Sequence, residues 1–265
     1  MLDQGCQQRV QLLAVPALQQ QQAAVELNQA EVKKQLQRER QLRPDNGMSL
    51  LVEDYLEFYQ LLFTSNPKAF AAAEKRFEQR MAGIDKQADA TAWGLFAKGR
   101  FHLHRALLHG ADKNYFTAAS QLNKANSAIA DLRKRHPDFL PGKRERALLD
   151  VVFGGVPDQY KWAASAIGWK GDQKQGLQVL RGMIGQLAGG TYTVLLPETR
   201  ILLAYILGNV KEDYQAAWQL LTADPALSKS NLTALYLMGR MGPRVGKNEQ
   251  AIQLISKRPA PPAYA

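Results

Sequence analysis

The chain has 265 residues, 46% of them hydrophobic, with a formal net charge of +10 and a pI near 9.7. The apolar fraction is sufficient for a substantial core and excludes disorder of the whole chain, while the charge favours acidic partners, nucleic acid or anionic membrane surfaces. A single cysteine excludes an intramolecular disulfide, and no stretch approaches the roughly eighteen apolar residues of a membrane-spanning helix.

Residues 1–44 are predicted to form N-terminal helices. The longer of two helical patterns runs from Ala17 to about Leu42 and contains the glutamine run 19–22. Because glutamine is a fair helix former, we interpret this run as a solvated helical face; the alternative is a low-complexity interaction segment. Residues 1–15 lack a basic start followed by a continuous apolar segment, so we expect no signal peptide in the chain as written.

Residues 45–137 are predicted to form helix hairpins. Two helices that follow the break at residues 43–47 place apolar residues on one face each, the second beginning near Pro67. Two more run from Ala90 to Leu108 and from Asp112 to Arg135, and the last of these has the most regular apolar spacing in the chain.

Residues 138–190 are predicted to form a central unit of short helices. Consecutive glycines at 154 and 155, followed by Pro157, end one helix and begin a short one over about 160–167. Gly168 ends that helix, and Asp172 is the expected N-cap of a third helix. Such short helices cannot bury their apolar stripes alone, so we expect an all-helical stack.

Residues 191–258 are predicted to contain two helix pairs, 195–209 with 212–222 and 231–241 with 248–257. Gly239 precedes Ala251 by twelve residues and Ile255 by sixteen, and Ala204 is followed by Ala216 and Leu220 at the same spacings. A tetratricopeptide repeat has this spacing because its helices cross closely at small residues. We therefore expect a single α-helical repeat domain over 1–258, a right-handed superhelix of antiparallel helix hairpins, with 259–265 as a proline-rich tail or linker.

Two parts of the chain resemble known helical repeat proteins. The residues that carry the resemblance are Asn46, Leu51, Asp54, Tyr55, Phe58 and 61–63 in the first part, and 137–141, 153–154, 156–157, 160–162, 168–169, Gly171 and 176–177 in the second. Together they resemble exported tetratricopeptide-type proteins of Bacteroidota. The second part is also similar to the mitochondrial outer-membrane tetratricopeptide family implicated in inclusion-body clearance. The resemblance implies an α-helical scaffold in the periplasm or cell envelope, with a cytoplasmic location as the alternative, and brings no catalytic residues.

A basic cluster between residues 133 and 146 is the strongest charged feature of the sequence. We expect a partner-binding groove with basic residues at its rim and aromatic residues near its floor. The rim residues are Arg133, Arg135, Lys143, Arg144 and Arg146, and the floor residues are Tyr160, Trp162 and Trp169. Glu145 interrupts the cluster and no nucleic-acid motif accompanies it, which disfavours nucleic acid. Peripheral contact with an anionic membrane stays open.

Four other features are interpreted as structural. The histidines His102, His104 and His109 are expected on helix surfaces or in packing, since no ligand set accompanies them. The carboxylates at 53, 54 and 57 are expected on a solvated helix face. The segment 242–248 is predicted to be a turn within a repeat, because it departs from the spacing of a phosphate-binding loop. Tryptophans 93 and 218 are expected in the core.

These patterns favour a non-catalytic scaffold that binds another protein or peptide on the concave face of a helical repeat, in a bacterial cell-envelope assembly. We expect no enzyme activity, no cofactor and no metal. The alternative is an electrostatic binder of nucleic acid or of an anionic membrane surface, which salt would weaken steeply.

Overall fold

The computed structural model describes residues 29–43, 46–64, 67–88, 91–155 and 171–257. These ranges contain twelve α-helices and no strand, so the all-α prediction is confirmed. The helices are α1 (Gln29–Leu42), α2 (Met48–Thr64), α3 (Pro67–Ala88), α4 (Ala92–Ala111), α5 (Tyr115–Arg135), α6 (Leu140–Gly154), α7 (Gln173–Leu187), α8 (Leu196–Asn209), α9 (Tyr214–Thr222), α10 (Pro225–Ser230), α11 (Leu232–Met241) and α12 (Asn248–Ser256).

Side-chain caps determine where several helices begin. Asp172 accepts a hydrogen bond from the backbone N–H of Gln175 at the start of α7, as the sequence predicted. α9 begins at Tyr214, two residues later than the predicted start at Glu212, because Asp213 caps the helix by accepting a hydrogen bond from the backbone N–H of Ala216. α10 was not predicted, although Asp224 caps it and Pro225 occupies its first position, which are both helix-start signals.

Three connections share one backbone feature that the sequence did not reveal. Lys113, Glu212 and Gly246 have φ values of 61°, 55° and 69°, in the left-handed region. Each directly precedes the N-cap residue of a helix, namely α5, α9 and α12. Non-glycine residues rarely adopt positive φ. The recurrence of positive φ at Lys113 and Glu212 therefore indicates that the same tight turn joins α4 to α5 and α8 to α9.

Successive helix pairs pack in a regular order. The pairs are α4 with α5, α6 with α7, α8 with α9 and α11 with α12, and the second helix of each of the first three packs against the first helix of the next pair. First helices also meet, α4 with α6 and α8 with α11. The pairs predicted over 195–222 and 231–257 are thus present. Helices α2 and α3 pack on α4, and most residues of α4 are buried.

Close helix contact depends on small residues, as the sequence indicated for α11 and α12. A Cβ atom on Gly239 would lie 3.1 Å from Cδ1 of Ile255, the residue sixteen positions later. A Cβ atom on Gly176 of α7 would lie 2.6 Å from the carbonyl oxygen of Ala147 in α6. These contacts bring the helix backbones close together and leave no room for a side chain.

Candidate functional site

Charged side chains from three helices meet in the interior of the helix stack. Arg100 of α4 donates from Nη1 to Oε2 of Glu145 at 3.0 Å, and also donates to Glu198 of α8. Arg144 of α6 donates to Oε2 of Glu198 at 2.8 Å and, through two nitrogens, to Oε1 of Glu145 at 3.0 and 2.6 Å. We call Arg100, Arg144, Glu145 and Glu198 the buried ion network. Its two positive and two negative charges balance.

A fourth helix, α2, covers the buried ion network. The Tyr55 hydroxyl lies 3.4 Å from Oε2 of Glu198, and the Arg100 guanidinium lies 4.9 Å over the Tyr55 ring. All four network side chains are buried, and Arg144 is 0% exposed. Ion pairs removed from water in this way need dense mutual hydrogen bonding to offset the loss of hydration. The network therefore ties α2, α4, α6 and α8 to one another.

Glu198 and Arg100 of the buried ion network stay ionised near neutral pH. Burial alone would raise the pKa of Glu198, but Arg100 and Arg144 outweigh it and lower that pKa to about 2. Burial opposes the charge of Arg100, yet Glu145 and Glu198 raise its pKa well above the usual value. Burial also raises the pKa of the Tyr55 hydroxyl. Glu198 and Arg100 are therefore ionised and Tyr55 is neutral near pH 7, so the ion pairs and the hydrogen bond from Tyr55 are present under these conditions.

A second buried cluster lies beside the first, between α2, α3 and α4. Nδ1 of His104 lies 2.6 Å from Oδ2 of Asp54, and the His104 ring stacks on Phe58 with 4.1 Å between centroids. Arg80 of α3 lies 3.7 Å from Asp54 and also pairs with Glu57. His104 is thus a packing histidine, as the sequence analysis expected.

The expectation of a solvated carboxylate face on α2 is wrong for Asp54. Only 3% of this residue is exposed, because His104 and Arg80 approach it from neighbouring helices. Glu57 is largely buried against Arg76 and Arg80, whereas the partly exposed Glu53 pairs with Arg40 of α1. The apolar spacing of α2 alone carries no information on these partners, which come from other helices.

The other two α4 histidines have partners of their own. His102 Nδ1 lies 2.7 Å from Oε1 of Gln121 in α5. His109 Nε2 lies 3.2 Å from Oε1 of Glu74 in α3, with the Phe70 ring edge-on to it. Both are in packing contacts, as expected. In the ranges that the structure describes, no group of three or more His, Cys, Asp or Glu residues is placed to hold a metal ion.

The α4 histidines predict a pH dependence of stability. Burial lowers the pKa of His102, His104 and His109 below the usual value near 6.5, and for His104 it outweighs the hydrogen bond to Asp54. Because the pKa of these histidines is depressed in the folded state, the unfolded chain binds protons first as the pH falls. The histidines therefore do not reduce the free energy of unfolding above about pH 6.5, and they reduce it as the pH drops below that value.

We expect the urea midpoint of unfolding to be lower at pH 5.5 than at pH 7.5. Replacing His104 by glutamine removes one of the three groups, so the difference between the two midpoints should shrink. Equal wild-type midpoints at both pH values, or a His104→Gln variant with the full difference, would contradict this account.

The predicted basic rim is only partly on the surface. The prediction that Arg144 lies on this rim is wrong, because its side chain pairs with Glu198 of α8 and is fully buried in the ion network. Arg135 is exposed but pairs with Asp131 at 2.8 Å, and Arg146 donates to Asn126 at 2.9 Å and pairs with Asp150. Arg133 donates to the carbonyl oxygen of Pro137.

Lys143 is partly exposed on α6, and partner binding by Arg133, Arg135, Lys143 and Arg146 stays a prediction. The expected floor residues Tyr160, Trp162 and Trp169 lie outside the residues that the structure describes.

Two further sequence interpretations are confirmed. Trp93 and Trp218 are buried in the core, and the Trp93 ring is edge-on to Phe139 at 4.9 Å. The segment after α11 forms a short 3-10 helix, Gly242–Val245, and Gly246 then turns the chain into α12. It is a turn within a helix pair.

Exposed tyrosines on α8 and α11 were missed by the sequence analysis. Tyr205 is 50% exposed and Tyr236 is 51% exposed, and the Arg240 guanidinium lies 5.9 Å from the Tyr236 ring centroid. We call Tyr205, Asn209, Tyr236 and Arg240 the α8–α11 face.

The described part of the chain is an all-α protein of stacked helix pairs. No protein family, no curated protein and no solved structure matches this chain. Within the described ranges, none of the helices is both long enough and apolar enough to cross a membrane.

Proposed function

We propose that this chain is a non-catalytic, tetratricopeptide-like scaffold that binds another polypeptide. The recurring turn before α5, α9 and α12 carries the proposal, together with the regular packing of each second helix on the next pair. The caps Asp213 and Lys247 are 34 residues apart (247 − 213 = 34), which equals the length of a tetratricopeptide repeat. Repeats of this kind build extended binding surfaces from packing alone.

The buried ion network limits where such a surface can lie. First helices of a repeat stack line its inner side, and here α2, α4, α6 and α8 meet one another at the network. Their inner faces are therefore occupied at that level by contacts within the chain. The inner side is exposed farther along the stack, where α8 lies beside α11. The resemblance to exported Bacteroidota proteins supports a cell-envelope assembly as the setting.

An electrostatic binder is the second candidate function. The charges of the buried ion network cancel, so they contribute nothing to the net charge of +10. The excess is therefore carried elsewhere in the chain, for example by the exposed Lys33, Lys34 and Lys134. Binding of this kind would depend on phosphate or headgroup contacts and would weaken steeply with salt.

Affinity purification of the full chain from its native organism at two salt concentrations tests the proposal. We expect a protein in stoichiometric amount that is retained at high salt, because apolar contacts are much less sensitive to salt than phosphate contacts. Nucleic acid or lipid that is lost at high salt would favour the second candidate instead. Recovery of the chain alone at both concentrations would contradict both.

A further inference from the structure

We infer that the α8–α11 face docks an acidic segment of a partner polypeptide, with an aliphatic or aromatic side chain of that segment packed between Tyr205 and Tyr236. This inference rests on the proposed scaffold function and specifies its surface and ligand chemistry.

The two tyrosines lie on the same side of the helix stack. Tyr205 lies two turns beyond Glu198 on the face that leads into the buried ion network. The neighbouring helix α11 packs beside α8, since a Cβ atom on Gly208 would collide with Cε of Met241. Tyr236 and Arg240 are each two residues from the fully buried Met238, so they lie on the opposite side of α11 from it.

The exposure of these rings has a cause in the fold. At the level of Glu198, the inner face of α8 is covered by Arg100, Arg144 and Tyr55 from three other helices. Two turns farther along, Tyr205 is half exposed. The covering that buries the first turn of α8 therefore does not extend over Tyr205, and the apolar part of its ring remains accessible to a ligand.

The chemistry of the face favours an acidic ligand with an apolar anchor. Tyrosine rings give a large contact area at a low cost in conformational entropy and are common in binding hot spots. Within α8 and α11, the charge of Glu198 is balanced by its arginine partner in the ion network, and Arg200 pairs with Asp224. Arg240 is exposed, and neither helix contains an exposed acidic residue to offset its charge. The net charge of +10 adds long-range attraction for carboxylates.

A selection from random twelve-residue peptides, displayed on phage and offered to the full chain, tests the inference. Selected peptides are synthesised with a fluorescent label, and their Kd is measured by anisotropy for wild type, Tyr205→Ala, Tyr236→Ala and Arg240→Glu. Tyr115→Ala is the matched control, because Tyr115 is 50% exposed on a different helix, α5. Circular dichroism and urea midpoints establish that each variant is folded.

We expect selected peptides to carry Asp or Glu around one aliphatic or aromatic residue. Their Kd should rise about tenfold or more in each of the three face variants and stay within about twofold of wild type in Tyr115→Ala. Basic peptides, or acidic peptides that bind all three variants as well as wild type, would overturn the assignment of this face while leaving the scaffold function in place. Failure to select any binding peptide, with no protein recovered from the native organism, would overturn both.

Two other occupants would also overturn the inference. A second copy of the chain would appear in light scattering as a dimer that the Tyr205→Ala and Tyr236→Ala variants lose. A lipid surface would appear as sedimentation with phosphatidylglycerol vesicles that is lost in the same variants. The acidic-peptide assignment predicts a monomer and no vesicle binding that depends on Tyr205 or Tyr236.

Discussion

Replacing Glu198 by glutamine is expected to lower the free energy of unfolding by about 3–5 kcal/mol, measured by urea denaturation at pH 7.5. Glutamine keeps the size of the side chain but removes its charge. Arg100 and Arg144 both donate to Glu198, so the variant leaves two buried guanidinium groups with Glu145 as the remaining network carboxylate. An uncompensated buried charge is among the most destabilising changes in a protein interior.

Two control variants distinguish the effect of leaving a buried charge unpaired from the effect of losing an ion pair. Asp131→Asn breaks an ion pair with Arg135, whose side chain is about half exposed, and should cost less than about 1 kcal/mol. The double variant Glu198→Leu with Arg144→Met removes one charge of each sign and should recover much of the loss, since Arg100 and Glu145 still pair at 3.0 Å. A Glu198→Gln variant as stable as Asp131→Asn would show that the network does not hold the helices together.

Gly176→Ala is expected to have the second largest effect, a loss of about 2–3 kcal/mol in the free energy of unfolding. The added Cβ atom would lie 2.6 Å from the carbonyl oxygen of Ala147 and 3.0 Å from the backbone nitrogen of Val151. Backbone atoms cannot move aside as a flexible side chain can. Helices α6 and α7 must therefore separate, which weakens the packing between them.

The same helix supplies a matched control for this substitution. Gly182 lies in α7 with nothing within 4 Å of an added Cβ, so Gly182→Ala should raise the free energy of unfolding by about 0.5–1 kcal/mol through helix propensity alone. Opposite signs for the two variants in parallel urea titrations would establish the close crossing of α6 and α7. Two variants with the same stabilising effect would contradict it.

Local signals in the sequence predicted most helices because they act within a few residues. Asp172 caps α7 through the N–H of Gln175, three positions later, and the regular apolar spacing of α5 buries Leu122, Ala125, Ile129 and Leu132. The small residue Gly239 likewise predicted the close contact with Ile255. The α10 helix was missed even though its cap and proline were present, since it is only six residues long.

The buried ion network was beyond the reach of local patterns. Its hydrogen bonds join residues 45, 54 and 98 positions apart, and a sequence alone does not show which distant helices meet. Arg144 was therefore grouped with the basic residues around it. The adjacent residues 143 and 144 point to different sides of α6, and only packing against α4 and α8 decides which side is buried. The exposure of Tyr205 and Tyr236 likewise depends on which distant helices pack against α8 and α11.

The measurement that tests the scaffold function most directly is amide hydrogen exchange of the full chain, alone and with the protein recovered from the native organism. We predict slower exchange on binding in peptides that cover residues 198–209 and 231–241, at both low and high salt. Protection confined to residues 133–146 and lost at high salt, or exchange that is unchanged throughout the chain, would contradict it.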